Sequence, residues 1–360
     1  MQLTRLRLAQ LRCFREAELE FAPGLNLITG RNGAGKTSLI EAVHILGYGR
    51  SFRGRVRDGL IRTGSPHLEL YAEWLDGGGR PRRAGIRHAG NTWEARQDGL
   101  PAPSLTELCA EFAAVTFEPG SHELIAGAAE GRRRFLDWAL FHVEPSFLPV
   151  WRRYARALKQ RNALLKSGPA ARALEPWNRE LVEAGEQLSQ LREAYLDRLE
   201  PVFSAIAAEF LPELGLAQLE FVPGWRRAEL SLADALMLAR DRDLALGYTG
   251  VGPHRADWRI SYSQLPGQEA LSRGQEKLTA LACLLAQARC YAEDRQDWPV
   301  MCLDDLASEL DVAHQRQALA TILASGAQIL LTGTELPGVL AEMSVPTRMF
   351  HVERGAVRQV

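Results

Sequence analysis

The fold of this 360-residue chain is decided by the stretch Leu25-Asn26-Leu27-Ile28-Thr29-Gly30-Arg31-Asn32-Gly33-Ala34-Gly35-Lys36-Thr37. Residues 25–29 form an apolar run typical of a strand, and the apolar residues after position 37 recur at helical spacing. Residues 30–37 match G-x-x-x-x-G-K-[ST], a glycine loop whose backbone N–H groups surround phosphate oxygens at a helix N-terminus. This motif requires the order strand, loop, helix, so the sequence predicts an α/β fold with a P-loop nucleotide site.

The loop predicts ATP and Mg²⁺ as cofactors and assigns roles to individual side chains. We expect Lys36 to contact the β- and γ-phosphates and the Thr37 hydroxyl to hold Mg²⁺. The nucleotide-binding residues predicted in this segment are Gly30, Arg31, Asn32, Gly33, Ala34, Gly35, Lys36, Thr37 and Ser38.

A second acidic element lies near the other end of the chain. The run Val300-Met301-Cys302-Leu303-Asp304-Asp305 reads as an apolar strand that ends in paired carboxylates. We expect Asp304 to bind Mg²⁺ through water and Asp305 to orient or deprotonate the attacking water. A strand ending in Asp-Asp can also cap a loop, but a glycine loop in the same chain favours the catalytic interpretation. The predicted catalytic residues are Lys36, Asp304 and Asp305, and the predicted metal ligands are Thr37 and Asp304.

A third motif precedes the acidic strand. The run Leu271-Ser272-Arg273-Gly274-Gln275-Glu276-Lys277 opens an apolar helix and resembles the LSGGQ signature of ABC-type ATPases. In that signature, serine and glycine donate to a γ-phosphate held by another subunit. By itself Ser-x-Gly-Gln is more often an ordinary helix N-cap, but the following run Ala307-Ser308-Glu309-Leu310-Asp311 resembles a D-loop. We therefore add Ser272, Gly274 and Gln275 to the predicted nucleotide site.

Composition narrows the class of protein. With 46% hydrophobic residues the chain is long enough for one large domain with an insertion or for two domains. The formal net charge is −1, so any contact with a polyanion must be local. The five cysteines form no CxxC pair, which indicates a reducing compartment. Neither a signal peptide nor an apolar run of membrane-spanning length is visible, so we expect a cytoplasmic protein without a membrane partner.

The character of the sequence changes between the motifs. Residues 49–99 alternate apolar and polar positions and predict an antiparallel sheet. Long helices are predicted over 146–166 and 172–211, separated by the breaker Ser167-Gly168-Pro169. The shared face of the resulting antiparallel hairpin is predicted to contain Leu158, Leu165, Leu181, Leu188, Leu191 and Leu199. An ordinary helical subdomain and a projecting arm fit this pattern equally well.

Several short runs together resemble the RecF family of SMC-like ABC ATPases, over nearly the whole chain and in the same order. They are Gly24-Leu25-Asn26, Ser51-Phe52-Arg53, residues 132–137 (RRRFLD), residues 252–257 (GPHRAD) and Leu303-Asp304-Asp305. The resemblance implies an ABC/SMC-type P-loop ATPase head, with a mixed sheet flanked by helices, assembled from both chain ends around an inserted helical lobe. We expect the head in residues 1–104 and 247–360 and the lobe in residues 105–246. The resemblance also places Arg12 near the adenine, although a strand-edge arginine is an equally ordinary interpretation.

The same resemblance implies a function. A member of this family is expected to be a weak, DNA-stimulated ATPase that forms an ATP-dependent homodimer on DNA at gaps or at single-strand/double-strand junctions. Its expected partners are RecR and, indirectly, RecO and RecA, whose loading it promotes in recombinational repair, replication restart and the SOS response. Slow hydrolysis is expected, because the strand ending in Thr332-Gly333-Thr334 lacks the switch histidine of ABC ATPases.

Clusters of basic residues are candidates for DNA contacts, since arginine and lysine neutralise phosphates. We favour Arg50, Arg53, Arg55 and Arg57, which follow the nucleotide-binding helix and could link DNA contact to nucleotide state. The other clusters are Arg80, Arg82, Arg83 and Arg87, then Arg132, Arg133 and Arg134, then Arg152, Arg153, Arg156, Lys159 and Arg161. For each cluster alone, a solvated face is the commoner explanation. His254, in Gly-Pro-His-Arg, is interpreted as either structural or close to the nucleotide.

Three other classes of protein share part of this pattern. The main alternative is the nucleotide-binding subunit of an ABC transporter, but there the signature lies much closer to the glycine loop and a switch histidine is present. A purely architectural SMC-like protein needs a far longer coiled coil than residues 146–211 provide. A small-molecule P-loop kinase leaves the Ser272 signature unexplained.

Overall fold

The computed structural model describes residues 1–54, 59–90, 92–167, 171–265 and 271–360. The chain divides into two compact units: the first combines Met1–His122 with Leu271–Val360, and the second is Glu123–Ala270. The first unit is therefore built from both ends of the chain. Within the described residues, no helix is both long enough and apolar enough to cross a membrane.

The described residues of the first unit form both strands and helices, and those of the second unit are mainly helical. The strands are β1 (Gln2–Leu11), β2 (Phe14–Glu20), β3 (Leu25–Thr29), β4 (His67–Leu75), β5 (Pro81–Ala89), β6 (Thr92–Gln97), β7 (Leu100–Pro101), β8 (Ala114–Phe117), β9 (Ala217–Val222), β10 (Asp257–Tyr262), β11 (Val300–Leu303), β12 (Ile329–Gly333), β13 (Thr347–Glu353) and β14 (Ala356–Gln359). The helices are α1 (Lys36–Tyr48), α2 (Leu105–Glu111), α3 (Glu123–Ala126), α4 (Ala129–Val143), α5 (Phe147–Ser167), α6 (Glu175–Phe210), α7 (Leu232–Leu238), α8 (Arg240–Leu246), α9 (Arg273–Arg295), α10 (Leu306–Glu309), α11 (Val312–Ala324) and α12 (Gly338–Met343).

One sheet of the first unit is antiparallel and has the order β2-β1-β4-β5-β6-β7. Burial alternates along β4, whose buried residues are Leu68, Leu70, Ala72 and Trp74. Such alternation is expected when one face of a sheet packs on the core and the other meets solvent. The antiparallel sheet predicted within residues 49–99 is therefore confirmed.

The second sheet of this unit carries the glycine loop. Its order is β14-β13-β3-β12-β11-β8, and the strands from β13 to β8 run parallel. All residues of β3, β8, β11 and β12 are buried, as expected for strands covered on both faces. Leu303 of β11 pairs with Leu331 of β12, which pairs with Leu27 of β3. The carboxyl ends of β3 and β11 therefore lie at one edge of the sheet, where ligands bind in open α/β sheets.

The second unit contains the predicted helix hairpin. Helices α5 and α6 pack against each other, and the buried leucines of the predicted face are Leu165, Leu181, Leu188 and Leu199. Leu158 and Leu191 are partly exposed, so the shared face is narrower than predicted. Gly168 and Pro169 of the predicted breaker lie outside the described residues.

The two units have different bounds from the predicted head and lobe. Residues 105–122, expected in the lobe, contribute α2 and β8 to the first unit, because β8 pairs in parallel with β11. Residues 247–270, expected in the head, contribute β10 to the second unit, because β10 pairs with β9. Both pairings join segments far apart along the chain, which local composition does not reveal.

Candidate nucleotide-binding site

Three glycines shape the loop between β3 and α1. Gly30, Gly33 and Gly35 have φ angles of 153°, 78° and 120°, a region that side chains disfavour. A Cβ atom on Gly35 would lie 2.7 Å from Cys13 Sγ and 2.8 Å from the ring of Phe14. A Cβ on Gly30 would lie 2.4 Å from a backbone carbonyl oxygen of β13. Packing of the loop therefore requires a glycine at positions 30 and 35, whereas at position 33 only the backbone conformation favours one.

The Lys36 side chain folds back over this loop. It is only 7% exposed, and its Nζ donates to the carbonyl oxygens of Gly30 at 2.8 Å and Arg31 at 3.2 Å. Lys36 is also the first residue of α1. The ammonium group and the N-terminal end of the helix dipole both favour an anion at this place.

Asp304, directly after β11, is 1% exposed and accepts two hydroxyl hydrogen bonds. Its Oδ1 accepts from Thr37 Oγ1 at 3.2 Å and from Thr332 Oγ1 at 2.6 Å. Burial raises the pKa of Asp304 above its ordinary value, and the hydrogen bonds from Thr332 and Thr37 oppose that rise. A buried carboxylate beside a hydroxyl supplies the oxygen ligands that Mg²⁺ prefers.

Thr332 lies near the end of β12, in the segment where the resemblance to ABC ATPases leads one to expect a switch histidine. Its hydroxyl donates to the Asp304 carboxylate and accepts from the backbone N–H of Asp305 at 2.9 Å. Asp305 itself adopts a left-handed backbone with φ of 54°. The threonine thus joins the side chain of one aspartate to the backbone of the next, and Thr334, further along, is exposed.

The glycine loop and the acidic pair line one cavity of about 410 Å³. The described residues that line it are Arg12, Cys13, Asn32, Gly33, Gly35, Lys36, Thr37, Ser38, Arg53, Asp304 and Asp305. Among the predicted loop residues, Gly30, Arg31 and Ala34 shape the loop without being among these lining residues. A larger cavity of about 660 Å³ lies on the antiparallel sheet, and its described lining contains none of the motif residues. Chemistry rather than volume therefore selects the candidate site.

Sequence reasoning missed Glu41, a carboxylate on α1 with 0% exposure. Arg12 donates to its two oxygens, from Nε at 2.9 Å and from Nη2 at 2.7 Å. The Ser51 hydroxyl also donates to Glu41, and the backbone N–H of Arg53 donates to Ser51 Oγ at 2.9 Å. The sequence does contain a signal that could have identified Glu41: it is a charged residue within a mainly apolar stretch of the predicted helix, five positions after Lys36.

Comparisons with known proteins agree with this geometry. Residues 5–81 match the family model of an AAA domain. Proteins named DNA replication and repair protein RecF are 58% identical in Stenotrophomonas maltophilia (strain R551-3) and 38% identical in Shewanella baltica (strain OS155 / ATCC BAA-1091), each over 99% of this chain and 99% of the relative. The chain belongs to the RecF family. The predicted family is thereby confirmed.

Solved structures show the same fold. A structure of the recombination mediator protein RecF with ATP, from the RecFOR pathway, is 25% identical, with a TM-score of 0.89 over 100% of this chain and 97% of that one. An SMC head bound to the C-winged helix domain of ScpA is 15% identical, with a TM-score of 0.62 over 100% and 97% of the two chains. The predicted ABC/SMC-type α/β head with an inserted helical lobe is therefore confirmed.

The predicted signature of this RecF-family chain lies at the exposed start of α9. Ser272 is the N-cap: its hydroxyl accepts from the Gln275 backbone N–H, and the Gln275 side chain accepts from the Ser272 N–H. Ser272 and Gly274 are exposed, and neither is among the described residues lining the cavity of their own chain. Lys277 on the same helix forms an ion pair of 2.8 Å with Glu309 of α10. The signature helix is thus connected to the segment that follows the acidic pair.

The favoured basic cluster falls partly beside the nucleotide cavity. Arg53 lines that cavity, and Arg50 is exposed two residues after the end of α1. Arg55 and Arg57 lie outside the described residues. The structure therefore places Arg53 at the candidate nucleotide site, whereas its contact with DNA stays a prediction.

Most arginines of the other clusters are held by carboxylates of the RecF-family fold. The ion pairs are Arg80–Asp76, Arg82–Asp98, Arg87–Glu69, Arg132–Asp257, Arg134–Glu130 and Arg153–Glu180. Arg161 as a DNA contact is wrong, because it is 1% exposed and pairs with Asp243 at 2.7 Å. By contrast, three cations of α5 are exposed and form no salt bridge within the described part of the chain: Arg152, Arg156 and Lys159.

His254 has a structural environment in the second unit. Its Nδ1 hydrogen-bonds the Tyr154 hydroxyl at 2.6 Å, and its Nε2 donates to the Thr249 carbonyl oxygen at 2.9 Å. Burial is the main cause that lowers the pKa of His254 to about 4, so the ring is neutral at pH 7. Of the two interpretations left open by the sequence, these contacts favour the structural one.

Proposed function

We propose that this protein binds and hydrolyses ATP with Mg²⁺ and uses the nucleotide to control its hold on DNA in recombinational repair and replication restart. One observation carries the proposal: β3 and β11 bring Lys36, Thr37, Asp304 and Asp305 to a single cavity. The similarity to RecF structures solved with ATP and with ATPrS, at 25% and 26% identity, supports ATP as the ligand.

The residues present fit both cofactors. Lys36 Nζ contacts two loop carbonyl oxygens, and phosphate oxygens are stronger acceptors that can replace them. Thr37 Oγ1 and Asp304 Oδ1 lie 3.2 Å apart, so the hydroxyl and the carboxylate can serve one Mg²⁺, Asp304 through water. When bound, Mg²⁺ neutralises charge on the β- and γ-phosphate oxygens.

Hydrolysis is assigned to Asp305. Its backbone is held by Thr332, and it lines the cavity next to the metal-binding pair, so its carboxylate can orient or deprotonate water. The Thr332 hydroxyl is already used by Asp304 and cannot act as a histidine would. We therefore propose slow turnover, stimulated by DNA.

A second copy of the chain would complete the site. Ser272 and Gly274 present donors at the N-terminus of α9 but lie outside the described lining of their own cavity. We therefore propose an ATP-dependent homodimer in which Ser272, Gly274 and Gln275 contact the nucleotide held by the partner's glycine loop. Such a dimer contains two composite sites.

The proposed macromolecular partners are DNA, at gaps or at single-strand/double-strand junctions, and RecR, with RecO and RecA as indirect partners in a cytoplasmic pathway. The solved relative belongs to the RecFOR pathway, which supports these partners. The proposed DNA contacts are Arg50, Arg53, Arg55 and Arg57, with the exposed cations of α5 as a second surface.

The discriminating experiment is ATP hydrolysis with and without gapped duplex DNA, measured for the wild type and for Lys36→Ala. We expect turnover to rise with DNA in the wild type and to be absent in Lys36→Ala, which loses the cation aimed at the phosphates. A rate of ATP hydrolysis that does not change when DNA is added would contradict the proposal and would favour the ABC transporter alternative.

A further inference from the structure

Two cations that line the nucleotide cavity come from outside the glycine loop and the acidic pair. Arg12 lies in the turn between β1 and β2, and Arg53 lies in the segment after α1. Both are connected to Glu41 on α1: Arg12 directly, and the Arg53 backbone through Ser51. One carboxylate therefore joins three separate segments that surround the cavity.

The Glu41 ion pair is well defined. Arg12 uses two of its five N–H donors in parallel, a bidentate arrangement that fixes the plane of the guanidinium group. The Glu41 side chain is 0% exposed and that of Arg12 is 16% exposed, so solvent screens the pair weakly. The Arg12 backbone is held as well, because its N–H donates to the Leu60 carbonyl oxygen at 2.9 Å. The Arg12 side chain is thus oriented by the protein before any ligand binds.

We propose that Glu41 is a positioning residue for the nucleoside triphosphate, acting on Arg12 through the ion pair and on Arg53 through Ser51. This inference rests on the proposed function, since it concerns the same cavity. A cation that is already oriented loses less conformational entropy when the ligand binds, so the free-energy cost of binding is smaller. It also connects the nucleotide to residues 50–54, the start of the favoured basic cluster.

The direct test is the affinity of Glu41→Gln for a fluorescent ATP analogue in the presence of Mg²⁺, far below the unfolding temperature. We expect about a tenfold loss, the size of one charge-assisted hydrogen bond. Turnover at saturating ATP is expected to stay close to wild type, because Lys36, Thr37 and the acidic pair are unchanged. A KM that rises while kcat holds is the signature of positioning.

A matched control exists in the second unit. The carboxylate of Asp243 has 0% exposure, as Glu41 has, and it forms an ion pair of 2.7 Å with Arg161, which is 1% exposed. Asp243→Asn removes a comparable buried charge, so general destabilisation should be similar, but nucleotide affinity should stay within twofold of wild type. Equal losses in Glu41→Gln and Asp243→Asn would reduce Glu41 to a structural role and overturn the inference.

A double-substitution experiment tests the route of action. Arg12→Ala should weaken nucleotide binding, and adding Glu41→Gln should cause little further loss, because the carboxylate would have nothing left to orient except the Ser51 branch. Independent, multiplying losses would contradict action through Arg12. If Glu41→Gln fails to fold, Ser51→Ala tests the branch to Arg53, with an expected loss of two- to fivefold. Unchanged affinity in Ser51→Ala would refute that branch, whereas a wild type that binds no ATP would refute the proposed function itself.

Discussion

Gly35 has no room for a side chain, and this makes the packing of the glycine loop measurable. A Cβ there would approach Cys13 Sγ to 2.7 Å and the buried Phe14 ring to 2.8 Å, and φ is 120°. Overpacking costs about 1–3 kcal/mol and a strained backbone about 1–2 kcal/mol, so Gly35→Ala should lower the free energy of unfolding by about 2–5 kcal/mol. For a unit of this size that is roughly 4–20 °C in Tm.

Gly33→Ala is the matched control. Gly33 also has a positive φ, of 78°, but a Cβ there would meet no atom within 4 Å. Only the backbone term should remain, about 1–2 kcal/mol, so the difference between the two variants isolates the crowding. Urea and thermal unfolding without nucleotide would measure both. Equal destabilisation by the two substitutions would refute the close contact with Cys13 and Phe14.

Three further predictions concern chemistry, assembly and DNA. Asp305→Asn should still bind ATP, but its rate of ATP hydrolysis should fall about a hundredfold or more, as quenched-flow would measure. The ATP-bound dimer should then accumulate on DNA, as gel filtration would show. An equimolar mixture of Lys36→Ala and Ser272→Arg, each inactive alone, should recover about a quarter of wild-type ATPase, because half the dimers are mixed and each then has one intact composite site. The third variant replaces three cations of α5 with glutamine: Arg152, Arg156 and Lys159. The slope of the logarithm of the binding constant for duplex DNA against the logarithm of salt concentration should fall in magnitude by about 3.

The controls for these predictions lie in the same chain. An unchanged rate of ATP hydrolysis in Asp305→Asn would show that a group other than Asp305 orients or deprotonates the attacking water. If crosslinking demonstrates mixed dimers but the mixture recovers no ATPase activity, the shared site is refuted or both sites must hydrolyse ATP together. For the salt dependence, Arg153→Gln is the control, since Arg153 is already paired with Glu180. An unchanged slope in the triple variant would place the DNA elsewhere.

Local patterns made the centre of the site predictable. Leu25–Thr29 is a mainly apolar run followed by a glycine, and β3 has those bounds. The helix after the loop and the strand before Asp304 follow from the same kind of pattern, which depends only on neighbouring residues. Cys283 and Cys290 lie seven positions apart on α9, a spacing that places them on one helix face, and both are buried.

Contacts between distant segments could not be predicted in the same way. The partner of Arg132 is Asp257, 125 positions away. Arg132 to Arg134 therefore resembled a surface for phosphates in the sequence, although the charge of Arg132 is neutralised within the fold. The sequence around Glu41 does not indicate that Arg12 forms an ion pair with it, so Glu41 resembled an ordinary carboxylate on a helix. The bounds of the two units escaped prediction for the same reason, since they depend on which strands pair.

The measurement that tests the central claim most directly is the affinity of the wild type and of Lys36→Ala for gapped duplex DNA, with and without ATP and Mg²⁺. We expect ATP to tighten DNA binding of the wild type at least tenfold, about 1.4 kcal/mol, because in the proposed dimer the nucleotide joins the two subunits on DNA. Lys36→Ala should show no gain, because it lacks the cation that holds the phosphates. Affinity that does not depend on ATP, or an equal gain in Lys36→Ala, would contradict the assignment of this cavity as the site that controls DNA binding.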